Sequence, residues 1–343
     1  MILENIHDDL SKIKLLNIAV VGDYCLDKYL YMDSKNDQQP DYDVNKSYTI
    51  TETKIYPGGA GNVANNFLSL GANVMCMGLV GDDGYGYDLE KQLSLLGANT
   101  DYMIKSEDRK TNVCIRPVRV VDGKIRTLNE MISNHKLHTS KDIINKVINN
   151  LNAIINKADA IVFVEQFENE SDGLFTPEIK KEISKLALKF PKKVLLADSR
   201  KYIDKYENIF LKCNQYELMN ILYLKENYLD NLNTTTIKRS YLDNLFNNTH
   251  RLPLFLTCGH KGIKIIDNNS IIDTVAIKVL PPINTCGAGD SATVGIILGL
   301  CLGYDYKDSA KFGNLIASIT IKELDSTGCA TIDNLINYYN SAA

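Results

Sequence analysis

The chain holds 343 residues, above the roughly 250–300 at which a single hydrophobic core usually stops growing, so it is one large domain with an appendage or two modest ones. Apolar residues make up 45% and charged residues 23%, a mix that excludes disordered, collagen-like and disulfide-scaffold chains. The formal charge is -4 with no basic block, and nucleic-acid binding, which needs clustered Lys and Arg, is disfavoured.

Residues 1–10 carry acids and no apolar h-region, so a cytoplasmic protein is expected. Asn17–Gly22 (NIAVVG) is a continuous apolar run closed by a glycine, the pattern of a buried parallel strand. Residues 59–70 put Val63, Ala64, Phe67 and Leu70 at helical spacing. Residues 74–80 read as a second strand and 87–96 as a second helix, ended by Gly97. Strands follow at 160–164, 194–197, 254–257 and 263–266, with helices at 177–190, 216–224 and 240–247 between them. This alternation predicts an α/β fold, a doubly wound, mostly parallel sheet with helices on both faces. Two stretches break the rhythm, at about 28–56 and 111–128. The second alternates around Asp122-Gly123, a strong hairpin signal. Both are read as antiparallel strands inserted at the edge of the main sheet, forming a small β lid.

The longest apolar stretch, 295–304, is shorter than the about 20 residues that span a bilayer, and no membrane partner is expected. Eight cysteines lie far apart without a CxxC pair, which favours reduced thiols over a zinc or dithiol motif. His135 and His138 share a helical spacing but lack the further ligands a zinc site needs, and are read as surface residues.

The chemistry concentrates in three glycine-bearing segments. In Asn284-Thr285-Cys286-Gly287-Ala288-Gly289-Asp290 the glycines let the backbone turn tightly ahead of an apolar helix. Its N–H groups and the helix dipole then favour an anion, and Asp290 emerges in the first turn. A plain helix cap would look the same. Pro57-Gly58-Gly59-Ala60-Gly61-Asn62 leads into a helix carrying Asn65 and Asn66, whose amides suit hydroxyl groups. Thr257-Cys258-Gly259-His260-Lys261-Gly262 closes a strand, where doubly wound sheets hold phosphates. None of them fits GxxxxGK[ST] or GxGxxG with its downstream acid.

Taken in this order, the segments resemble the ribokinase/PfkB family of carbohydrate kinases. The likeness runs from Ile18 to about Leu335. It rests on a first strand ending in Gly22-Asp23, on Gly58-Gly59 with Asn62, and on Asn214-Gln215-Tyr216-Glu217 as the family's NxxE. Thr257-x-Gly259-x-x-Gly262 and Gly287-Ala288-Gly289-Asp290, the GAGD signature, complete it. The opening looks most like the kinases of heptose 7-phosphate. The resemblance implies a single ribokinase-like domain over residues 1–343 that uses ATP and Mg²⁺.

It further implies that Asp290 is the base, with the N–H groups of Gly287, Ala288 and Gly289 as an anion hole. Asn214 and Glu217 organise Mg²⁺ through water, although the same pair fits a helix capping box. Thr257, Gly259, Gly262 and Asn314 border the nucleotide. Asp23, Gly58, Gly59 and Asn62 hold a sugar or sugar phosphate, and the Asp23–Asn62 pair suits a vicinal diol. Hairpin pairing around Asp122-Gly123 is expected to bring Arg116 and Arg126 together for a phosphate on the acceptor. A homodimer through the lid is the partner expected.

Several positions depart from the family. Asn284 stands where an acid is usual, which leaves a monovalent cation open but weakens it. Cys114 replaces a basic residue common in the heptose kinases, and residues 165–172 are unusually acidic for a sugar-phosphate site. A nucleoside kinase on the same fold and an idle sugar sensor are the alternatives, the second opposed by the intact GAGD. Beside the helix start, Cys286 is expected to have a lowered thiol pKa, an inert small hydrophobe being the other reading.

Overall fold

The computed structural model describes residues 6–37, 47–133, 139–167, 173–222, 245–246, 252–267, 270–324 and 327–342. His135, His138 and most of the helix expected at 240–247 lie outside them. Among the described residues, nine strands form the main sheet in the order β14-β13-β12-β11-β10-β9-β1-β4-β5. These are β1 (Asn17–Gly22), β4 (Asn73–Gly81), β5 (Ile104–Ser106), β9 (Ala160–Glu165), β10 (Val194–Ser199), β11 (Phe210–Asn214), β12 (Leu254–Thr257), β13 (Ile263–Ile266) and β14 (Ile271–Thr274). From β5 to β12 every pairing is parallel, while β13 and β14 turn antiparallel at one edge.

Side-chain alternation along each strand feeds two cores. On β1, Ile18 and Val20 join one cluster while Ala19 and Val21 join the other. The first cluster is covered by α1 (Ile6–Ile13), α2 (Ala60–Ser69), α3 (Gly84–Leu95), α7 (Ala288–Cys301), α8 (Tyr306–Thr320) and α9 (Ile332–Ala342). The second is covered by α4 (Lys141–Lys157), α5 (Pro177–Lys189) and α6 (Gln215–Ile221). The doubly wound expectation therefore holds. Several elements were not anticipated, among them α1, α9, β5 and β14, and two more, α4 and β11, show why. In α4 the buried face of Val147, Leu151, Ile154 and Ile155 is diluted by intervening polar residues. In β11 the run Phe-Leu-Lys-Cys-Asn is interrupted by Lys212, which is nonetheless buried.

The lid departs from expectation in two respects. It is a separate sheet rather than an edge of the main one, built from β2 (Tyr24–Asp33), β3 (Ile50–Gly59), β6 (Val113–Val121), β7 (Lys124–Thr127) and β8 (Met131–Ile132). Moreover, β2 and β6 run parallel, so only the β2–β3, β6–β7 and β6–β8 pairs are antiparallel. The reason is chain path: β4, α3 and β5 intervene between β3 and β6, and such a long crossover permits a parallel return. The hairpin itself forms as expected, with Asp122 at φ 49° and Gly123 at φ 75°, the positive angles that a type I′ turn requires.

At the antiparallel edge, Gly262 has φ 93°, and an added Cβ would overlap the Thr274 carbonyl oxygen. Gly262→Ala is therefore expected to cost about 1–3 kcal/mol through strain and overpacking. Urea denaturation of the two proteins checks this, and an unchanged midpoint would contradict it.

Candidate active site

The C-terminal ends of the parallel strands deliver Asp23 after β1, Arg200 after β10 and Asn214 at the end of β11. This is the edge where open α/β sheets take ligands. Helix α7 begins over the same edge. Its N-cap, Gly287, sits in the left-handed region at φ 78°, which glycine adopts without a Cβ penalty. The Ala288 N–H donates to the Thr285 carbonyl at 3.2 Å. Of the three donors expected for an anion hole, Ala288 is thus already used locally. Among the described residues the N–H groups of Gly287 and Gly289 have no protein acceptor.

Asp290 occupies the first turn of α7, and the Asn62 side chain hydrogen-bonds to it. The Asn62 carbonyl oxygen also accepts from Thr327 Oγ1 at 3.2 Å. Burial is the main cause that pushes the Asp290 carboxyl up to about 6, reinforced by Asp198 and opposed by Lys212, Arg200 and Asn62. A base that titrates near neutrality can both stay ionised and accept a proton readily.

Behind the nest lies a buried ion pair absent from the sequence reading. Lys212 on β11 meets Asp198 on β10 at 2.8 Å. The same Asp198 oxygen accepts from Thr293 Oγ1 at 2.8 Å, and Thr293 also donates to the Gly289 carbonyl at 3.1 Å. A Cβ on Gly289 would lie 3.2 Å from the Lys212 ammonium, so a full positive charge abuts the nest from below. The one available signal was a lysine inside an otherwise apolar run.

Asn214 and Glu217 form the full capping box of α6: the Asn214 side chain accepts from the Glu217 N–H at 2.9 Å. In return Glu217 accepts from the Asn214 N–H at 2.7 Å. Burial raises the Glu217 carboxyl, against the pull of Lys212. Both therefore do cap a helix, and each retains acceptor capacity toward the crevice.

The acceptor side is more committed to structure than expected. Asp23 is buried, and its carboxylate accepts from the N–H groups of Gln166 at 2.8 Å, Phe167 at 3.3 Å and Leu174 at 3.1 Å. It caps the exit of β9 rather than residues 24–26. Burial raises its pKa despite these donors. Gly59, at φ 60°, lets the Ala60 N–H reach the Asp23 carbonyl at 2.9 Å, while a Cβ on Gly58 would crowd Cys25 and Asp27. Asn66 is used internally, accepting from Ser291 Oγ at 3.2 Å. Glu165, from the acidic stretch, pairs with Lys180 at 2.9 Å and with Ser199 at 2.7 Å, and burial pushes it up to about 7. Residues 168–172 lie outside the described residues.

Arg116 and Arg126 do not come together. The two-residue turn registers Arg126 opposite Arg119, and Arg126 is exposed. Arg116, an odd number of residues from Arg119, projects from the other face of β6. There it meets Asp27 at 3.1 Å, Glu130 at 3.2 Å and the Tyr29 hydroxyl at 3.4 Å. The Arg116 charge also acts on the Cys286 thiol, favouring its ionised form. The Cys286 thiol is raised, not lowered. Burial outweighs Arg116, and Asp27, Asp290 and Glu130 add to it.

At the exit of β12, where a nucleotide is expected, Thr257 Oγ1 donates to the Cys213 carbonyl at 3.4 Å, and Gly259 at φ 55° opens onto empty space. Asn314 is buried on α8 and donates to Thr274 Oγ1 at 2.9 Å and to the Val275 carbonyl at 3.3 Å. It therefore fixes the end of β14, beside the crevice.

The structure thus combines a doubly wound sheet with a glycine-bearing helix start and a raised carboxylate at its strand ends. The pfkB family carbohydrate kinase model matches residues 16–333, and the chain belongs to that family of phosphotransferases. It is 28% identical over 311 residues to the bifunctional protein HldE of Sulfurimonas denitrificans, covering 90% of this chain and 61% of that protein. It is also 28% identical over 330 residues to HldE of Aliarcobacter butzleri, covering 95% of this chain and 64% of that protein. The chain thus spans less than two thirds of these relatives' length. Phosphofructokinase-2 from Escherichia coli in complex with potassium shares the fold, with a TM-score of 0.67 at 16% identity, covering 96% of this chain and 99% of that one. Arabidopsis thaliana ribokinase complexed with ribose and ATP gives a TM-score of 0.63 at 16% identity, covering 94% and 98%.

Because the folded Asp290 carboxyl is raised above its ordinary 3.8, its ionised form destabilises the fold. That penalty is absent below pH ~3.8 and complete above pH ~6. Asp290→Asn should therefore stabilise the protein at pH 7, by on the order of 3 kcal/mol for a shift of this size. The gain should shrink as pH falls through this window. Melting curves across the range measure it, and equal Tm values at pH 7 would refute the assignment.

Proposed function

We propose that the chain is an ATP-dependent kinase that transfers the γ-phosphoryl to a sugar hydroxyl, with Asp290 as base. The observation that carries this reading is the convergence, at the start of α7, of the raised Asp290 carboxyl and the free N–H groups of Gly287 and Gly289. In the transfer, Asp290 takes the hydroxyl proton while the acceptor oxygen bonds to the γ-phosphorus. The bridging P–O bond to the β-phosphate breaks, and ADP leaves with that electron pair. Little covalent work falls to the protein, so positioning and charge stabilisation dominate.

The residues present fit a Mg²⁺-bound nucleotide. The two glycine N–H groups and the α7 dipole suit phosphate oxygens. Gly259 leaves open space beside the strand exit. Among the described residues no three Asp, Glu, His or Cys side chains converge to ligate a metal directly, so Asn214 and Glu217 would hold Mg²⁺ through its waters. When bound, that ion would neutralise charge on the phosphates. Asn284 accepts from the Cys286 N–H at 3.0 Å, so it serves its own loop where an acid would serve a cation.

We take the acceptor to be a heptose 7-phosphate. The opening of the chain and the HldE relatives support this choice. Arg116 is the lid residue suited to the acceptor phosphate, which would displace Glu130, the more exposed of its two carboxylate partners. The lid is also where we place a homodimer contact, since Ile125, Met131 and Ile132 expose apolar surface there. Among the described residues no helix is long and apolar enough to cross a membrane, which fits a cytoplasmic site of action.

Asp290→Asn should lower kcat about 10²–10⁴-fold, the contribution of a general base, with ATP affinity little changed. ADP release measured over a panel of sugars and sugar phosphates checks it, and a variant keeping most of its kcat would sink the reading. Arg116→Ala should raise KM about 10–100-fold for a phosphorylated acceptor, as expected for a lost charged hydrogen bond. KM values unchanged for every active sugar phosphate would instead point to a neutral sugar.

A further inference from the structure

Arg200 follows directly on β10 and has no counterpart among the residues that the sequence motifs single out. Its backbone N–H donates to the Glu165 carbonyl at 3.2 Å, which fixes the residue at the C-terminal edge between β9 and β11. Two residues earlier on the same strand, Asp198 is tied to Thr293 on α7 at 2.8 Å. That bond holds the start of the Arg200 loop under the first turns of α7. The Arg200 side chain is exposed, and among the described residues its guanidinium makes no hydrogen bond or ion pair.

Its charge nevertheless reaches three groups on three different elements. These are Asp290 in the first turn of α7, Glu217 at the start of α6, and Cys25 at the root of the lid. Those groups mark the base, the nucleotide side and the acceptor side of the crevice. Strand register sets Arg200 level with Asn214 of β11 and with Gln166, whose N–H meets Asp23, so its guanidinium is carried at the edge where donor and acceptor meet. It is planar, always charged and presents paired donors matched to phosphate oxygens. Among the described residues, the other two cations that act on these groups are already committed: Lys212 to Asp198, and Arg116 to Asp27 and Glu130. Two neutral N–H groups and a buried ammonium leave the equatorial oxygens of a moving phosphoryl without a direct cationic ligand from the protein.

We propose that Arg200 binds the phosphoryl group in transfer, acting in cis as the cationic ligand of the transition state. The assignment rests on the kinase reading above and adds a catalytic residue to it. Arg200 contacts oxygens of the phosphoryl as it leaves ADP and joins the acceptor hydroxyl, forming no covalent bond and moving no proton. An arginine used in this way acts most strongly on the transition state, so its loss falls on kcat rather than on ground-state binding.

The test compares wild type, Arg200→Ala and Arg200→Lys for ADP release over free sugars and sugar phosphates, together with calorimetric binding of MgADP with and without aluminium fluoride. Because the side chain is exposed, the variants should fold, and matching melting curves verify this. The expected result for Arg200→Ala is a kcat loss of about 10²–10³-fold with every acceptor, the size seen when one transition-state donor is removed. MgADP affinity should stay unchanged, the tightening by aluminium fluoride should be lost, and added guanidinium chloride at millimolar concentration should restore part of the rate. Arg200→Lys, a charge without the paired donors, should fall between the two. A variant with wild-type kcat would overturn the proposal and leave the kinase reading intact. So would a loss confined to KM for phosphorylated acceptors, which would assign Arg200 to the acceptor's own phosphate. A wild type that neither turns over any acceptor nor binds MgADP would remove the kinase reading itself, and this assignment with it.

Discussion

The arrangement of the crevice depends on one buried contact, the ion pair between Lys212 and Asp198. Two parallel strands and one helix are joined there, because Thr293 of α7 donates to the same carboxylate oxygen. Burying two charges is costly, and such a pair is weak evidence of stability by itself. Its consequence here is positional. Thr293 also holds the Gly289 carbonyl, so the nest is clamped to the strand ends from which Arg200 and Asn214 emerge. The ammonium beneath Gly289 adds positive potential in a poorly solvated place, where Coulomb interactions are strongest. Removing Asp198 would leave the ammonium buried and the nest unclamped at once, whereas removing Lys212 would leave the carboxylate buried with Thr293 as its partner.

Much of the fold was legible because local pattern and global architecture agree. Continuous apolar runs became central parallel strands, and helical spacings at residues 59–70 and 177–190 became covering helices. Agreement between levels is what a foldable sequence shows. Legibility failed where a residue had a use other than filling the core. Lys212 hid β11 because a charge in a short run reads as an edge or a loop. The parallel β2–β6 pairing was hidden for a different reason: pairing direction depends on the path through β4, α3 and β5, which alternation within either strand does not encode.

The candidate site was legible in its residue types and less so in their partners. Asp290, Gly287 and Gly289 stand where a glycine-rich helix start should put them. Ala288 differs because a local bond to Thr285 competes for its N–H. Asp23 illustrates the same competition. Its position at a strand end suggested a sugar ligand, yet three backbone N–H groups from a segment more than 140 residues away already meet its carboxylate. Sequence proximity offers residues 24–26 as partners, and only the fold offers 166, 167 and 174. For Cys286 the helix dipole was the wrong dominant effect. A partial charge at a helix terminus is worth about 0.3–1 kcal/mol, and the burial and neighbouring carboxylates that act on this thiol outweigh it.

Asp290 shows why the site is built from opposed charges. Burial and Asp198 push its proton affinity up, whereas Lys212, Arg200 and Asn62 pull it down. With the raising influences alone, the carboxyl would be protonated at neutral pH and unable to accept a hydroxyl proton. With the lowering influences alone, it would be a weak base with little drive to do so. The balance near 6 leaves it ionised at neutral pH while keeping its basicity well above that of a solvated aspartate. Asp198 and Lys212 enter this balance with opposite signs from a single ion pair. Thr293 ties the same ion pair to the nest, so the contact that holds the nest in place also acts on the carboxyl beside it.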